Sequence, residues 1–211
     1  MRPGRGSVVK SFENRVAAIT GAGSGIGRAL AVELGRQKCD VALSDVNEQG
    51  LLETVEQVRG LGVHVTSRRV DVADREAVHA WADEVVDEHG KANLIFNNAG
   101  VALASTVEGM SYGVSASSVH PGGIKTGIAR SSRIDSSVRD LGISDIDSRE
   151  RFEKTFITGA DKAARVILDG VRRNRRRILV GPDARVFDWV VRLLPSTYQR
   201  ITIGYSKFSA K

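Results

Sequence analysis

The chain has 211 residues, 41% of them hydrophobic, with 31 basic and 25 acidic side chains and a net charge of +6. That is long enough and apolar enough for one α/β domain with a real core, which excludes a disordered chain. No apolar run reaches the length of a bilayer span, and a single cysteine, Cys39, forms no internal disulfide, so a reduced, cytoplasmic protein is expected.

Residues 1–11 read as a disordered basic tail without the apolar segment of a secretory signal, and residues 12–211 as a single domain. A first strand, Arg15 to Thr20, runs into a glycine cluster and then a helix with Ile26, Leu30, Ala31 and Leu34 on one face. A second strand, Asp40 to Asp45, precedes a helix carrying Leu52, Val55 and Val58. A third strand, His64 to Val70, leads to a helix from about Asp74 to His89, striped by Val78, Trp81, Ala82, Val85 and Val86 and stopped at Gly90. The fourth strand is Asn93 to Asn98, and another apolar, β-branched segment follows at Val114 to Val119.

A polar loop then occupies about residues 126–149, and a helix opens with the capping box Thr158-Gly159-Ala160-Asp161. Its apolar face is Ala163, Ala164, Ile167, Leu168 and Val171. A last strand, Arg177 to Gly181, leads to a short apolar helix over about residues 184–195, which could touch a membrane or a partner but is expected to dock on the domain's own core. The run Arg172 to Arg177 reads as a solvated helix end, where cations also suit the helix dipole, rather than as a site for nucleic acid or an acidic membrane. Strands alternating with helices in this way argue a doubly wound parallel sheet, the Rossmann arrangement.

The glycine cluster, "TGAGSGIGR", spans Thr20 to Arg28 between a buried strand and a helix. Gly21, Gly25 and Gly27 leave room for the backbone to turn tightly and approach a pyrophosphate, which the free N–H groups of the helix start would face. Asp45 ends the second strand about 20 residues on, where this fold places an acid on the adenosine ribose. A carboxylate there accepts from ribose hydroxyls and repels an extra phosphate, which favours NAD over NADP.

"TGAGSGIG", "DVAD" and "NNAG", in this order, resemble the short-chain dehydrogenase/reductase family, and "HPGGIKT" (His120 to Thr126) resembles the segment after that family's sixth strand. The resemblance implies that Gly21, Ser24, Gly25, Ile26 and Gly27 cradle the pyrophosphate, Asp45 binds the ribose, and Asp71 and Val72 bracket the adenine. It implies that Asn98, Ala99 and Gly100 line the cofactor, while Pro121, Gly122 and Thr126 meet the nicotinamide end. The implied activity is hydride transfer between a nicotinamide and a small-molecule alcohol or ketone.

Family members handle the proton with a tyrosine and a lysine four residues later on a helix, helped by a serine. The ammonium one turn away lowers the tyrosine pKa. No such pair occurs here. Tyr112, Tyr198 and Tyr205 are followed at that spacing by Ala116, Thr202 and Ser209. Lys125 lies too far from Tyr112, and Ser115, Ser117, Ser118 and His120 read as structural. No catalytic residue is therefore assigned: the chain reads as an oxidoreductase by ancestry with impaired activity, and the alternative is a catalytically inactive NAD-binding remnant or regulatory protein.

Between Gly100 and Pro121 the family carries one strand and two helices, so roughly 60–75 residues have no place here. The break is expected near residues 112–113. It would leave one sheet face largely uncovered and remove the helices that usually build the family's homo-oligomer interface.

Overall fold

The computed structural model describes residues 9–99, 115–126 and 156–193. Its first half alternates β1 (Val16–Thr20), α1 (Gly25–Arg36), β2 (Asp40–Asp45), α2 (Glu48–Arg59), β3 (Val65–Arg69), α3 (Arg75–His89) and β4 (Leu94–Phe96). These four strands form one parallel sheet in the order β3-β2-β1-β4. The order places β1 centrally, and every residue of its run VAAIT is buried, as a strand covered on both faces requires. The later strands are β5 (Ser118–Pro121), β6 (Ile124–Lys125), β7 (Thr158–Gly159) and β8 (Arg177–Val180), with helices α4 (Ala160–Arg172) and α5 (Pro182–Leu193). Strand β5 pairs with β8 in parallel, and β6 with β7.

Helices α1, α2 and α4 share one face. Leu30, Leu34, Leu51, Val58, Ile167 and Leu168 pack there with Ile19, Leu43, Ile178 and Val180 in one continuous core, which joins the two halves of the chain. The other face is thin: Trp81 and Val85 of α3 cover Ala18, Ala42 and Val70. Beyond that cover, Ile95 of β4 is 68% exposed. Among the described residues β4 pairs with β1 alone and β5 with β8 alone, so each has one edge without a described partner.

Several details differ from the sequence reading. On α2 the buried member is Leu51, four positions before Val55, while Leu52 is 56% exposed. On α3, Val86 is exposed while Trp81 and Val85 are buried. The capping box before α4 does not form: Thr158 is taken up in β7, and Gly159 caps without a side-chain hydrogen bond. The strand expected at Val114 to Val119 lies at Ser118–Pro121 instead, with Val114 outside the described residues. The N–H groups of Ser118 and Gly122 point at β8, donating to Arg176 O and Val180 O, so by alternation the backbone nitrogen of position 121 faces the edge without a described partner. A proline fits there because no ladder donor is lost.

The last helix does not dock through its apolar side. Asp188 turns inward and pairs with Arg177 and Arg192, while Val186, Trp189 and Leu193 face out. Among the described residues no helix is long and apolar enough to cross a membrane. The arginine run is partly engaged internally: Arg173 pairs with Asp169, Arg177 with Asp188, and the Arg172 guanidinium lies 4.9 Å over the Phe12 ring.

Candidate dinucleotide site

The site forms where β1, β2 and β4 end together at the start of α1. Gly21 and Gly25 have φ of +66° and +55°, a conformation glycine adopts without strain. Gly27 has a different reason to be glycine: a Cβ there would run into the Gly21 carbonyl oxygen. The chain therefore doubles back tightly before α1 begins. At Ser24, which precedes the helix, no side chain caps the first turn, and that turn holds no acidic residue. Its first N–H groups are left for an acceptor from outside the helix.

The loop is held by polar contacts to its neighbours. The Asp45 carboxylate accepts from Gly23 N at 2.8 Å and, through its other oxygen, from Asn47 N at 2.8 Å. Asn98 donates its side-chain amide to Thr20 O (3.1 Å) and Gly21 O (3.2 Å), while Asn98 N and Ala99 N both donate to Thr20 Oγ1 at 3.0 Å. These bonds fix the ends of β1 and β4 to each other. Thr126 closes the other side, its methyl 3.1 Å from where a Cβ on Gly25 would sit.

Gly21, Ser24, Gly25, Ile26, Gly27, Asp45, Asn98, Ala99 and Thr126 thus gather around one loop. Asp71 and Val72 lie at the neighbouring strand end, where Val70 N donates to Asp45 O at 3.1 Å. The Asp71 carboxylate accepts from Ala73 N, and Val72 is 42% exposed. Gly122 is packed on the Asp183 carboxylate at the start of α5, which also accepts from Gly123 N. Pro121 is exposed at the end of β5. Gly100 falls outside the described residues, as do Tyr112, Tyr198 and Tyr205.

Arg28 was not anticipated. Its guanidinium donates to Gly23 O, to Gly50 O (3.0 Å), to Glu53 (2.9 Å) and to Thr54 Oγ1 (3.0 Å), clamping the glycine loop to α2. Thr54 in turn donates to Ala22 O at 2.9 Å. The signal was a lone cation closing "TGAGSGIGR", one helical turn after Ser24. Thr20 was also missed, although a hydroxyl ending an otherwise apolar strand is conspicuous.

The profile of the short chain dehydrogenase family matches residues 15–111. Putative oxidoreductase SadH of Mycobacterium tuberculosis is 31% identical over 280 aligned positions, covering 95% of this chain and 98% of that protein. Since 95% of the chain is about 200 residues, about 80 of those positions in SadH have no counterpart here. Estradiol 17-beta-dehydrogenase 11 of Homo sapiens is 41% identical over 96 residues, 46% of this chain and 32% of that protein. A short chain dehydrogenase/reductase from Burkholderia phymatum, solved in complex with NAD, shares the fold at a TM-score of 0.69. It is 23% identical, and the match covers 87% of this chain and 96% of that one. With the glycine turn, the β2 acid and the β4 asparagine meeting at one point, and with a relative matched along nearly its whole length, the chain belongs to the short-chain dehydrogenase/reductase family.

Proposed function

We propose that this chain binds a nicotinamide dinucleotide across the β1–α1 loop, NAD in preference to NADP, and that it is an alcohol/carbonyl oxidoreductase by descent whose turnover is impaired. The observation that carries the cofactor reading is Asp45. Each of its oxygens accepts one backbone N–H and keeps further acceptor capacity beside the loop. Vicinal ribose hydroxyls satisfy that capacity, whereas a phosphate ester on the ribose brings like charge against the carboxylate.

The residues present fit such a ligand. A cradle whose side chains are absent at Gly21, Gly25 and Gly27 admits a pyrophosphate to the backbone, and the uncapped α1 start offers it N–H donors. Asn98 and Thr20 hold the loop in that shape, and Thr126 bounds its far side. Bound there, the dinucleotide supplies hydride exchange at its nicotinamide ring with a small-molecule alcohol or ketone.

Impairment is inferred from what the chain lacks. The roughly 80 positions that SadH has in excess match in size the strand and two helices that carry the family's serine, tyrosine and lysine. No tyrosine in this sequence has a lysine four positions on. Without a group to take or give the proton, hydride transfer loses a contribution of about 10²–10⁴-fold.

Titration of the full chain with NADH and NADPH, followed by cofactor fluorescence, tests the binding reading. NADH is expected to bind more tightly, and no NADH signal at saturating protein would overturn it. Assay against a panel of alcohols and ketones tests the second part, and turnover in the ordinary enzyme range of ~1–10³ s⁻¹ would refute impairment.

A further inference from the structure

Helix α5 is mounted with its polarity inverted. Its buried side carries Asp188, 8% exposed, whose carboxylate pairs with Arg177 at 2.7 Å and Arg192 at 3.0 Å. Its outer side carries Val186, Trp189 and Leu193, each about two-thirds exposed at 64%, 68% and 66%. Spacings of three and four place these three in one stripe. Large apolar side chains aligned on the outside of a helix mark an interaction surface rather than scattered exposure.

The chemistry beside the stripe is cationic. A cavity of about 310 Å³ between α4, β8 and α5 is lined by Lys162, Arg165, Arg175 and Arg185. Asp169 is the one carboxylate in that lining, and it already pairs with Arg173 at 2.9 Å. Arg185 belongs to both features, lining the cavity and immediately preceding Val186 on α5. An apolar strip with an aromatic residue, bordered by a pocket of cations, complements the acyl boundary and the phosphate layer of a bilayer.

We propose that α5 and the adjoining basic pocket dock this protein on the surface of an anionic phospholipid bilayer, with Val186, Trp189 and Leu193 in the interface and the pocket cations on headgroup phosphates. The helix lies on the membrane and does not span it, in keeping with its 12 residues. A second copy of the chain suits the surface less well, because a two-fold contact along the stripe would bring Arg185 and Arg192 of each copy towards those of the other. A nucleic-acid backbone would satisfy the cations and leave the stripe in water.

The test is co-sedimentation of the full chain with phosphatidylcholine vesicles, with and without phosphatidylglycerol, at physiological salt. Binding is expected with the anionic vesicles alone, accompanied by a blue shift of Trp189 emission over the fixed background of buried Trp81. Trp189→Ser and Arg185→Glu are each expected to weaken binding about tenfold or more while the melting transition stays cooperative. Leu193→Gln is the alternate stripe variant should Trp189→Ser not fold. Failure to sediment with anionic vesicles would overturn the proposal. So would full binding by the stripe variants, which would mean adsorption through arginine alone. Release by inorganic phosphate at constant ionic strength would reassign the pocket to a free anion, and a smaller particle by light scattering for Trp189→Ser, without vesicle binding, would reassign the stripe to a second copy.

Discussion

The Asp45 carboxylate accepts the Gly23 N–H at 2.8 Å, so the residue proposed to choose the cofactor also holds the loop that would bind it. A Cβ on Gly23 would sit 2.9 Å from that carboxyl carbon, so the contact is backbone against side chain with no slack. Replacing Asp45 by Asn keeps the shape and removes the charge. The amide NH2 cannot accept, so one of the two bonds from Gly23 N and Asn47 N is lost and the other is no longer charge-assisted, while repulsion of a ribose phosphate disappears. Asp45→Asn is expected to lower NADH affinity about tenfold and to narrow or reverse the preference over NADPH. Parallel titrations of the two cofactors check it, and an unchanged NADH/NADPH ratio would remove Asp45 from the specificity argument.

Gly27 tests the turn itself. An alanine methyl there meets the Gly21 carbonyl oxygen, a backbone atom that moves only with the loop. Gly27→Ala is expected to destabilise the domain by ~1–3 kcal/mol, in the range of overpacked core sites. It should also abolish NADH binding, because the displaced carbonyl lies where the loop must stay open. Urea unfolding and a cofactor titration on the same sample separate the two effects.

Much of this site was legible in the sequence because its determinants are local. Gly21, Gly25 and Gly27 mark a turn by their spacing, and Asp45 is marked by its position at a strand end. What the sequence hid depends on contacts between distant segments. Arg28 reaches Gly50 and Glu53 across a helix pair, and Thr20 accepts from Asn98 and Ala99 of another strand. The same holds for the fold. The parallel sheet followed from the alternation of elements, but Pro121 entered β5 only because pairing with Val180 turned its missing donor to the side without a described partner. The capping box at Thr158 failed because pairing with Ile124 drew that residue into a strand.

Arg28 supplies a prediction at a site that touches no proposed ligand. Its side chain, 28% exposed, spreads one planar fork over two carbonyls, a carboxylate and a hydroxyl. Lysine has the charge but not the fork, so Arg28→Lys is not conservative here. A loss of ~1–2 kcal/mol in stability is expected from the unmade bonds, with NADH affinity falling several-fold as the loop loosens. Retained affinity in a destabilised Arg28→Lys would show that the clamp serves the fold and not the loop.

Alkaline pH probes the opposite end of the sheet. Burial, reinforced by the Asp40 carboxylate and opposed by Arg15, pushes the Cys39 thiol from an ordinary 9.0 up to about 12. The folded pKa lies above the unfolded one. The benefit of the neutral buried thiol is therefore complete below about pH 9 and is lost as pH rises towards 12. Between those values stability should fall by up to ~1.4 kcal/mol per pH unit from this group. Cys39→Ala is expected to flatten that part of the pH profile relative to the parent. Superimposable alkaline profiles would show that the thiol does not contribute.

The thin face of the sheet gives the last test. Leu94 and Ile95 are adjacent on β4, yet Leu94 is 8% exposed in the main core and Ile95 is 68% exposed on the side that α3 leaves open. Ile95 lies in register with Ala18, which α3 does cover, so the cover stops one strand short. The uncovered strip should bind a hydrophobic dye and promote association. Ile95→Thr keeps a β-branched side chain suited to a strand while removing apolar surface. It is expected to change stability by less than ~0.5 kcal/mol, because two-thirds of the residue is exposed, and to reduce dye fluorescence and concentration-dependent aggregation. A parent protein that is monomeric, melts cooperatively and binds no dye would show that the open face is covered in solution.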